Sequence, residues 1–479
     1  MMDSSSAASV LAQSKLSRRA LLRGAAGGAA LIASSGLPAW AKPVTNLGGV
    51  RKPDSLPFPH LPAGTASMPK IDHIVMLMME NHSFDNLLGM VPYQVASREL
   101  VDGLSRRHGR FENFNSGAQG QLVYAERSSS PCQLQGEPTQ SWDASHQAYD
   151  NGRNDGFVRA SGAIAMRFWD QNDLPFTYSL VKHFPLGQRY FCSVLAQTDP
   201  NRRYFFTGTS SGLTATNTGQ SLHIPAANGT IWDRLDAHKI DWGIYYQDDP
   251  TQPVNLPSWL LVPGVTAPPG RATRAQKMPQ FYADAAAGRL PRFTFLDPQY
   301  GTTSEENPQD IEVGERFVAS IVNALMHAPT WKNTALFLTY DEHGGYYDHV
   351  PPPRAIKPDT IAPIPAPGQP PLAPGAFNRY GFRVPLIVVS PWARANYVSS
   401  VTQDHTSITA FIERKWNLPA MTFRDANAHP MTDYFDFTTA AFAAPPKLAL
   451  APGLGPGLAE CHAAGLNPPL PGVPPPKTA

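Results

Sequence analysis

Two stretches of this 479-residue chain set acidic residues at the end of an apolar run. The run 335–338 leads through Thr339 and Tyr340 into Asp341 and Glu342. Two glycines follow at 344 and 345, then an acid–imidazole pair, Asp348-His349, and three prolines at 351–353. The run 71–79, apolar without a break after His73, leads into Glu80-Asn81-His82-Ser83-Phe84-Asp85 and then Gly89. Neighbouring carboxylates repel one another unless a cation or a proton lies between them. Glu80, Asn81, Asp341 and Glu342 are therefore read as oxygen ligands of one divalent metal ion. Ser83 and Asp85 are read instead as caps of a following helix. An all-oxygen set without thiolates suits a hard cation, calcium, magnesium or manganese, ahead of zinc, with iron still in the set.

A third segment, Thr198-Asp199-Pro200-Asn201-Arg202, carries a proline where the first turn of a helix accepts one. A hydroxyl there faces unpaired backbone N–H groups, which are suited to a phosphoryl group. From the residues alone Thr198 reads as a helix cap. His146, in the turn-rich stretch 142–157, reads as a surface or packing residue, and Asp404 or Thr406 as the cap of a helix bearing Ile408, Ile412 and Trp416.

The elements that must position these groups alternate along the chain. Strands are predicted at 242–246, 293–296 and 384–389. Helices are predicted at 174–184, with Phe176, Leu180 and Phe184 on one stripe, and at 311–327, with Phe317, Ile321 and Leu325. Such alternation predicts an α/β fold with a largely parallel sheet, whose ligands sit at the carboxyl edge of the strands. The stretch 91–138 reads as loop with short strands, and 351–374 as a proline-rich surface loop. The 49 prolines are about twice the usual ~5%, which predicts ordered loops and few long helices. A net charge of +1 with 16% charged residues gives no electrostatic case for nucleic acid. The three cysteines allow at most one disulfide and leave one thiol over.

Four segments together resemble one family, the bacterial phospholipase C and acid phosphatase phosphoesterases with the plant non-specific phospholipases C. They are residues 80–89, residues 193–202, residues 339–352, and residues 381–391 followed by Asp404-His405-Thr406-Ser407. The resemblance implies an alkaline phosphatase-like fold, a central mostly parallel sheet between helices. It implies Glu80, Asn81, Asp341 and Glu342 as the metal ligands and Thr198 as the nucleophile. Asn201, Arg202 and His146 are then expected on the phosphate, and His349 and His405 as general acid or phosphate donor. Two positions depart from the family pattern: Asn307 and Gln140 stand where histidines are common, and an amide donates a hydrogen bond but does not shuttle a proton. The implied activity is phospholipase C-like hydrolysis of a small phosphoester or a phospholipid head group through a phosphothreonine. A broad acid phosphatase is the alternative. A transferase, or an inactive binding protein on the same scaffold, are readings from other classes.

Residues 1–41 read as a twin-arginine signal peptide: Arg18-Arg19, an apolar stretch at 24–37, and Ala39-Trp40-Ala41 as the cleavage site. This predicts export to the periplasm or the medium. An extended lead-in follows at 42–69, a catalytic domain at 70–437, and a tail rich in Pro, Ala and Gly at 438–479. No run beyond the signal approaches the ~18 apolar residues of a membrane span. The mature chain should begin near Lys42, and replacing Arg18 and Arg19 together by lysine should retain the protein in the cytoplasm. Cell fractionation reads this directly, and normal secretion of the double variant would remove the twin-arginine assignment.

Overall fold

The unbroken apolar runs 71–79 and 335–340 become neighbouring central strands, as expected of segments that must be covered on both faces. In this computed structural model the described residues are 49–134, 136–248, 258–262, 270–368, 372–453 and 455–467. The export segment and residues 468–479 lie outside them. One sheet contains β1 (His73–Met79), β2 (Leu186–Gly187), β3 (Trp242–Tyr246), β4 (Ala275–Lys277), β5 (Phe293–Asp297), β6 (Thr334–Tyr340), β7 (Leu386–Val389) and β8 (Val398–Ser399). Its order is β4-β3-β5-β1-β6-β7-β2-β8. The pairings from β4 across to β6 are all parallel, and β7 is antiparallel to both of its neighbours. With β8 parallel to β2, β7 runs alone against the rest.

The helices that matter below are α1 (Phe84–Leu88), α2 (Trp142–Tyr149), α3 (Pro175–His183), α4 (Thr198–Thr207), α5 (Ile231–Ala237), α6 (Met278–Ala286), α7 (Ile311–Met326), α8 (His405–Trp416), α9 (Phe423–Asn427) and α10 (Pro456–Ala463). Met76 is in register with both Phe295 and Phe337, so these three side chains share one face of the sheet. On that face the rings of Phe205 and Phe206 of α4 lie 5.9 and 5.2 Å from Phe295, and Phe411 of α8 lies 5.0 Å from Phe337. The other face is covered by α6, whose Phe281 meets Tyr245 at 5.7 Å, and by α7, which packs against α6 and α3. The predicted stripe of α7, Phe317, Ile321 and Leu325, is buried as the 3.6-residue period requires. Among the described residues no helix is long and apolar enough to cross a membrane.

The two ends of the chain depart from the plain extended segments that their composition suggested. The lead-in is held to α8 and α9 by specific hydrogen bonds. Asn417 ends α8 in the left-handed conformation, and its side chain accepts from Phe58 N (2.9 Å) and donates to the carbonyls of Phe58, Leu61 and Pro62 at 2.9–3.1 Å. Arg51 N donates to Asn427 Oδ1 at 2.9 Å, and Lys415 Nζ donates to Met68 O at 2.6 Å. At the other end Pro456 opens α10 within its first turn, where its missing N–H costs nothing. The helix is tied back by a Cys132–Cys461 disulfide, leaving Cys192 as the buried free thiol.

Asn417→Ala removes these bonds and strains the left-handed residue, so it should destabilise the fold by about 2–4 kcal/mol. Asn417→Gly, which tolerates the same φ, should recover up to about 1 kcal/mol of that loss. Urea unfolding midpoints measure both, and equal midpoints for all three proteins would show that the lead-in is not held there.

Candidate active site

Parallel pairing of β1 with β6 puts Met79 opposite Tyr340, so Glu80 and Asp341 leave the sheet side by side. The Asp341 amide donates to Met79 O at 3.1 Å, continuing the ladder by one residue. One carboxylate oxygen of Asp341, Oδ1, then accepts from Asn81 N (3.1 Å) and Glu342 N (2.7 Å) and joins the two turns. Asn81 itself has a φ of +64°, a conformation that asparagine tolerates better than most residues. From the covering helix, Thr198 is the first residue of α4, with Gln197 as its N-cap. The Thr198 hydroxyl donates to Asn81 Oδ1 over 3.5 Å. The nucleophile candidate and the ligand candidates on β1 and β6 thus come together at the carboxyl edge.

Arg202, one turn further along α4 and 1% exposed, sits beneath them. Its guanidinium donates to Glu80 Oε1 (2.7 Å), Asp341 Oδ2 (3.0 Å) and Asp297 Oδ1 (3.2 Å). This corrects the expectation of Arg202 as a phosphate ligand, because its charge is turned inward onto three carboxylates. Glu306 approaches from the loop before α7 and accepts from Asn81 Nδ2 at 3.4 Å. Glu80, Asp297 and Asp341 therefore share one arginine, with Glu306 and Glu342 close beside Asp341. Burial pushes Glu80 and Glu342 well above the usual carboxylate range, with Asp341 beside each as the next cause. Burial and Asp341 also push Glu306 up to about 8. Asp297 is raised to about 6, since burial outweighs the attraction of Arg202. Glu342 Oε2 accepts from Gly344 N at 2.8 Å, while its buried Oε1 has no hydrogen-bond partner among the described residues. An orphaned carboxylate oxygen amid excess buried negative charge is what a divalent cation would satisfy, so the donor set fits a hard metal ion.

The remaining predicted residues take other places. Asn201 spends its amide on the carbonyls of Val194 (3.3 Å), Ala196 (2.8 Å) and Gln197 (3.1 Å), and its Oδ1 accepts from Val194 N (3.0 Å). It braces the loop ahead of Thr198 and has no hydrogen left for a phosphate. His405 donates from Nε2 to Asp341 O at 2.7 Å; a carbonyl only accepts, so the proton sits there and Nδ1 accepts from Tyr190 Oη at 2.9 Å. Burial lowers its pKa and keeps it neutral, so it anchors the Asp341 backbone where a general acid was expected. His146 donates to Trp142 O at 2.7 Å, packs at a tilt against that indole with ring centroids 4.2 Å apart, and lines a cavity of about 570 Å³ with Asp143, Leu195 and Arg379.

His349 belongs to a second cluster. Its Nδ1 meets Asp85 Oδ2 at 2.6 Å and its Nε2 meets Asp102 Oδ1 at 3.1 Å; these two acids outweigh burial and raise its pKa to about 9. The ligand atoms of Asp85, Asp348 and His349 lie within 4.8 Å of one another, a group that could hold a metal. Here, however, Arg383 already pairs with Asp85 (3.0 Å) and Asp348 (2.8 Å), and Arg189 with Asp102 (2.6 Å). Three acids face three cations, so a further cation gains little, in contrast to the cluster around Asp341. Asp85, expected as a cap, serves this network, while Ser83 does cap α1 through Asn86 N at 3.2 Å.

Two site residues escaped the sequence reading. Asp297 is the last residue of β5, the same strand-end acid that marked Glu80 and Asp341, and the predicted strand stopped one residue short of it. Glu306 lies in a loop without periodicity, where only its pairing with Glu305 could have drawn attention. Asn307, one of the two histidine replacements, donates to Tyr346 Oη at 2.8 Å.

Residues 71–419 match the Phosphoesterase family. The chain is similar to non-specific phospholipase C6 of Arabidopsis thaliana, 30% identical over 400 residues that cover 77% of this chain and 73% of that one. It is also similar to phospholipase C A of Mycobacterium tuberculosis, 28% identical over 437 residues covering 82% of each. A solved protein of the alkaline phosphatase superfamily from Vibrio parahaemolyticus aligns over 81% of this chain and 76% of that one, at 10% identity and a TM-score of 0.37. That likeness is loose, and the fold class rests on the strand order itself.

Gly344 joins the two turns more closely than any other residue type could. Its φ is +64°, and a Cβ would stand 1.9 Å from Asn81 O. Gly344→Ala should therefore part the Glu342 turn from the Asn81 turn and weaken divalent-ion binding about 10–100-fold while the sheet still folds. Titration calorimetry with Ca²⁺, Mg²⁺ and Mn²⁺ checks this, and unchanged affinity would show that the two turns need not touch.

Proposed function

The chain belongs to the Phosphoesterase family, and we propose that this phosphoric ester hydrolase is phospholipase C-like and works in two steps through Thr198. The observation that carries the reading is the Thr198 hydroxyl at the start of α4, directed at Asn81 beside a buried, over-acidic cluster. Glu80, Asn81, Asp341 and Glu342 would hold one divalent ion. When bound, that ion lowers the pKa of the Thr198 hydroxyl and offsets the charge of the phosphoryl group. The Asp199 amide is spent on Thr216 Oγ1 at 3.2 Å and Pro200 has none, so the phosphoryl oxygens fall to the Thr198 amide and the positive end of α4. Asn201 holds the loop that presents Thr198, and Arg202 fixes the height of α4 through its carboxylate partners.

In the first step Thr198 Oγ bonds to phosphorus and the bond to the alcohol oxygen breaks; the proton lost by Thr198 ends on the departing alcohol. In the second step water bonds to phosphorus and loses a proton, the bond from phosphorus to Thr198 Oγ breaks and Oγ takes up a proton, and the head-group phosphate leaves. The substrate class is a phospholipid or a related phosphoester, in keeping with the names of the similar phospholipases C. The arginine pair at 18–19 supports export to where such lipids are met.

Thr198→Ala should lower turnover of nitrophenylphosphocholine by ~10³ or more, whereas Thr198→Ser should keep measurable activity. Acid quenching of the wild type during turnover should trap a phosphoryl group on the peptide that contains Thr198. Near-normal turnover by Thr198→Ala with no trapped adduct would make water the nucleophile. Faster turnover of nitrophenyl phosphate than of the phosphocholine ester would replace the phospholipase reading with an acid phosphatase on the same site.

A further inference from the structure

The loop 302–310, which brings Glu306 to Asn81, is gripped from outside the sheet by the last described part of the chain. Asn467, buried and left-handed at a φ of +49°, reaches both ends of the loop. Its Oδ1 accepts from Asp310 N at 2.7 Å and its Nδ2 donates to Thr302 O at 2.8 Å. Asn467 is in turn held by α10, since His462 Nε2 donates to its carbonyl at 2.8 Å and Leu466 N donates to Cys461 O at 2.8 Å. Cys461 is bonded to Cys132, and the segment around Cys132 is the loop's other support. Cys132 pairs with Asp310 as an antiparallel bridge, and Ile311 N donates to Pro131 O at 3.2 Å. Gln133 N donates to Gln309 O and Gln133 Nε2 to Glu305 O, both at 3.0 Å. Gly457 lies so close that a Cβ there would stand 2.4 Å from Pro131 and 3.1 Å from the Asp310 carboxylate.

We infer that this disulfide-tethered clamp positions the active-site loop: Asn467, Cys461 and Cys132 act on catalysis through the placement of Glu306. The inference rests on the reading of the Asp341 cluster as the phosphoesterase site. Physically, Asn467 closes the base of the loop as a staple, and the disulfide fixes the staple to the segment that supports the loop from its other side. Asp341 and Thr198 are anchored by a strand and a helix, whereas Glu80 N donates to Ser304 O at 2.9 Å, inside the loop, so Glu80 feels the clamp as well. Loosening the clamp should therefore degrade turnover while leaving the sheet edge assembled. Such a role differs from general stability because its effect passes through the contacts of this one loop with the site, the Glu306 carboxylate first among them.

The test uses the full mature chain as wild type, Asn467→Ala, Cys461→Ser, Glu306→Gln, and Glu306→Gln combined with Asn467→Ala. Asn467→Ala and Cys461→Ser should each lower kcat for nitrophenylphosphocholine about 10-fold or more with KM within about twofold, keeping cooperative urea unfolding and divalent-ion content. In the Glu306→Gln background, Asn467→Ala should cost less than about twofold more, because both changes remove the same contribution. Wild-type kcat in Asn467→Ala and Cys461→Ser, or an undiminished loss in the Glu306→Gln background, overturns the inference. Amide hydrogen exchange supplies a reading that does not need activity. Asn467→Ala should speed exchange across 302–310 and leave 341–348 protected, and unchanged exchange at 302–310 overturns the inference by itself. Absence of turnover in the wild type would instead sink the phosphoesterase reading, with the exchange result still deciding whether the clamp positions the loop.

Discussion

One guanidinium shared by three buried carboxylates sets the terms for the rest of the site. Each buried ion costs several kcal/mol of lost hydration, recovered only where partners are close and well oriented. Arg202 meets that condition against Glu80, Asp297 and Asp341 because β1, β5 and β6 lie together and parallel, each delivering an acid at the same edge. Among the described residues Glu342 and Glu306 have no arginine or lysine partner, and that imbalance is the feature the proposed chemistry uses. Thr198 lies four residues before Arg202, on the same side of α4. The arginine that balances part of the charge therefore also fixes where the hydroxyl stands.

The network of Asp85, Asp102, Asp348, His349, Arg189 and Arg383 shows the opposite solution. There the acids and cations are matched, and the network links the segment after β1 to the segment after β6 from behind. The Asp85 amide donates to Asp348 Oδ2 at 3.2 Å, and the His349 amide returns a bond to Asp85 Oδ2 at 2.7 Å. The two turns that carry the ligand candidates are thus joined at their far ends by a charge-balanced lock and at their near ends by Asp341 Oδ1.

Much of this was legible in the residues because strand-end acids are a local signal. An apolar run that stops at Glu80 or Asp341 announces both a buried strand and the edge where it ends, and α7 announced itself by its stripe. The directions of the side chains on α4 were not legible in that way. Asn201 and Arg202 follow a helix start, where either could face solvent or the sheet, and only the position of β5 and of the 194–197 loop decides. His405 was expected as a general acid or phosphate donor, and its anchoring role is visible only once Tyr190 and the Asp341 carbonyl are placed around it. Glu306 and the clasp made by Asn467 depend on loops whose partners lie far away in sequence. Cysteine counting allowed one bridge, but which two cysteines meet is fixed by the packing of α10 against the Cys132 segment.

The lead-in gripped by Asn417 has a consequence for how the molecule is made. Phe58 and Asn417 are 359 residues apart, so the lead-in docks on a helix end that is synthesised much later. At about 5–20 residues per second, the lead-in waits roughly 20–70 s for its partner. For that interval its Phe58 ring and its backbone donors are open to chaperones and to other chains. Docking of the lead-in on the end of α8 is accordingly a late event, and it marks the moment when the chain stops being a client and becomes a folded protein.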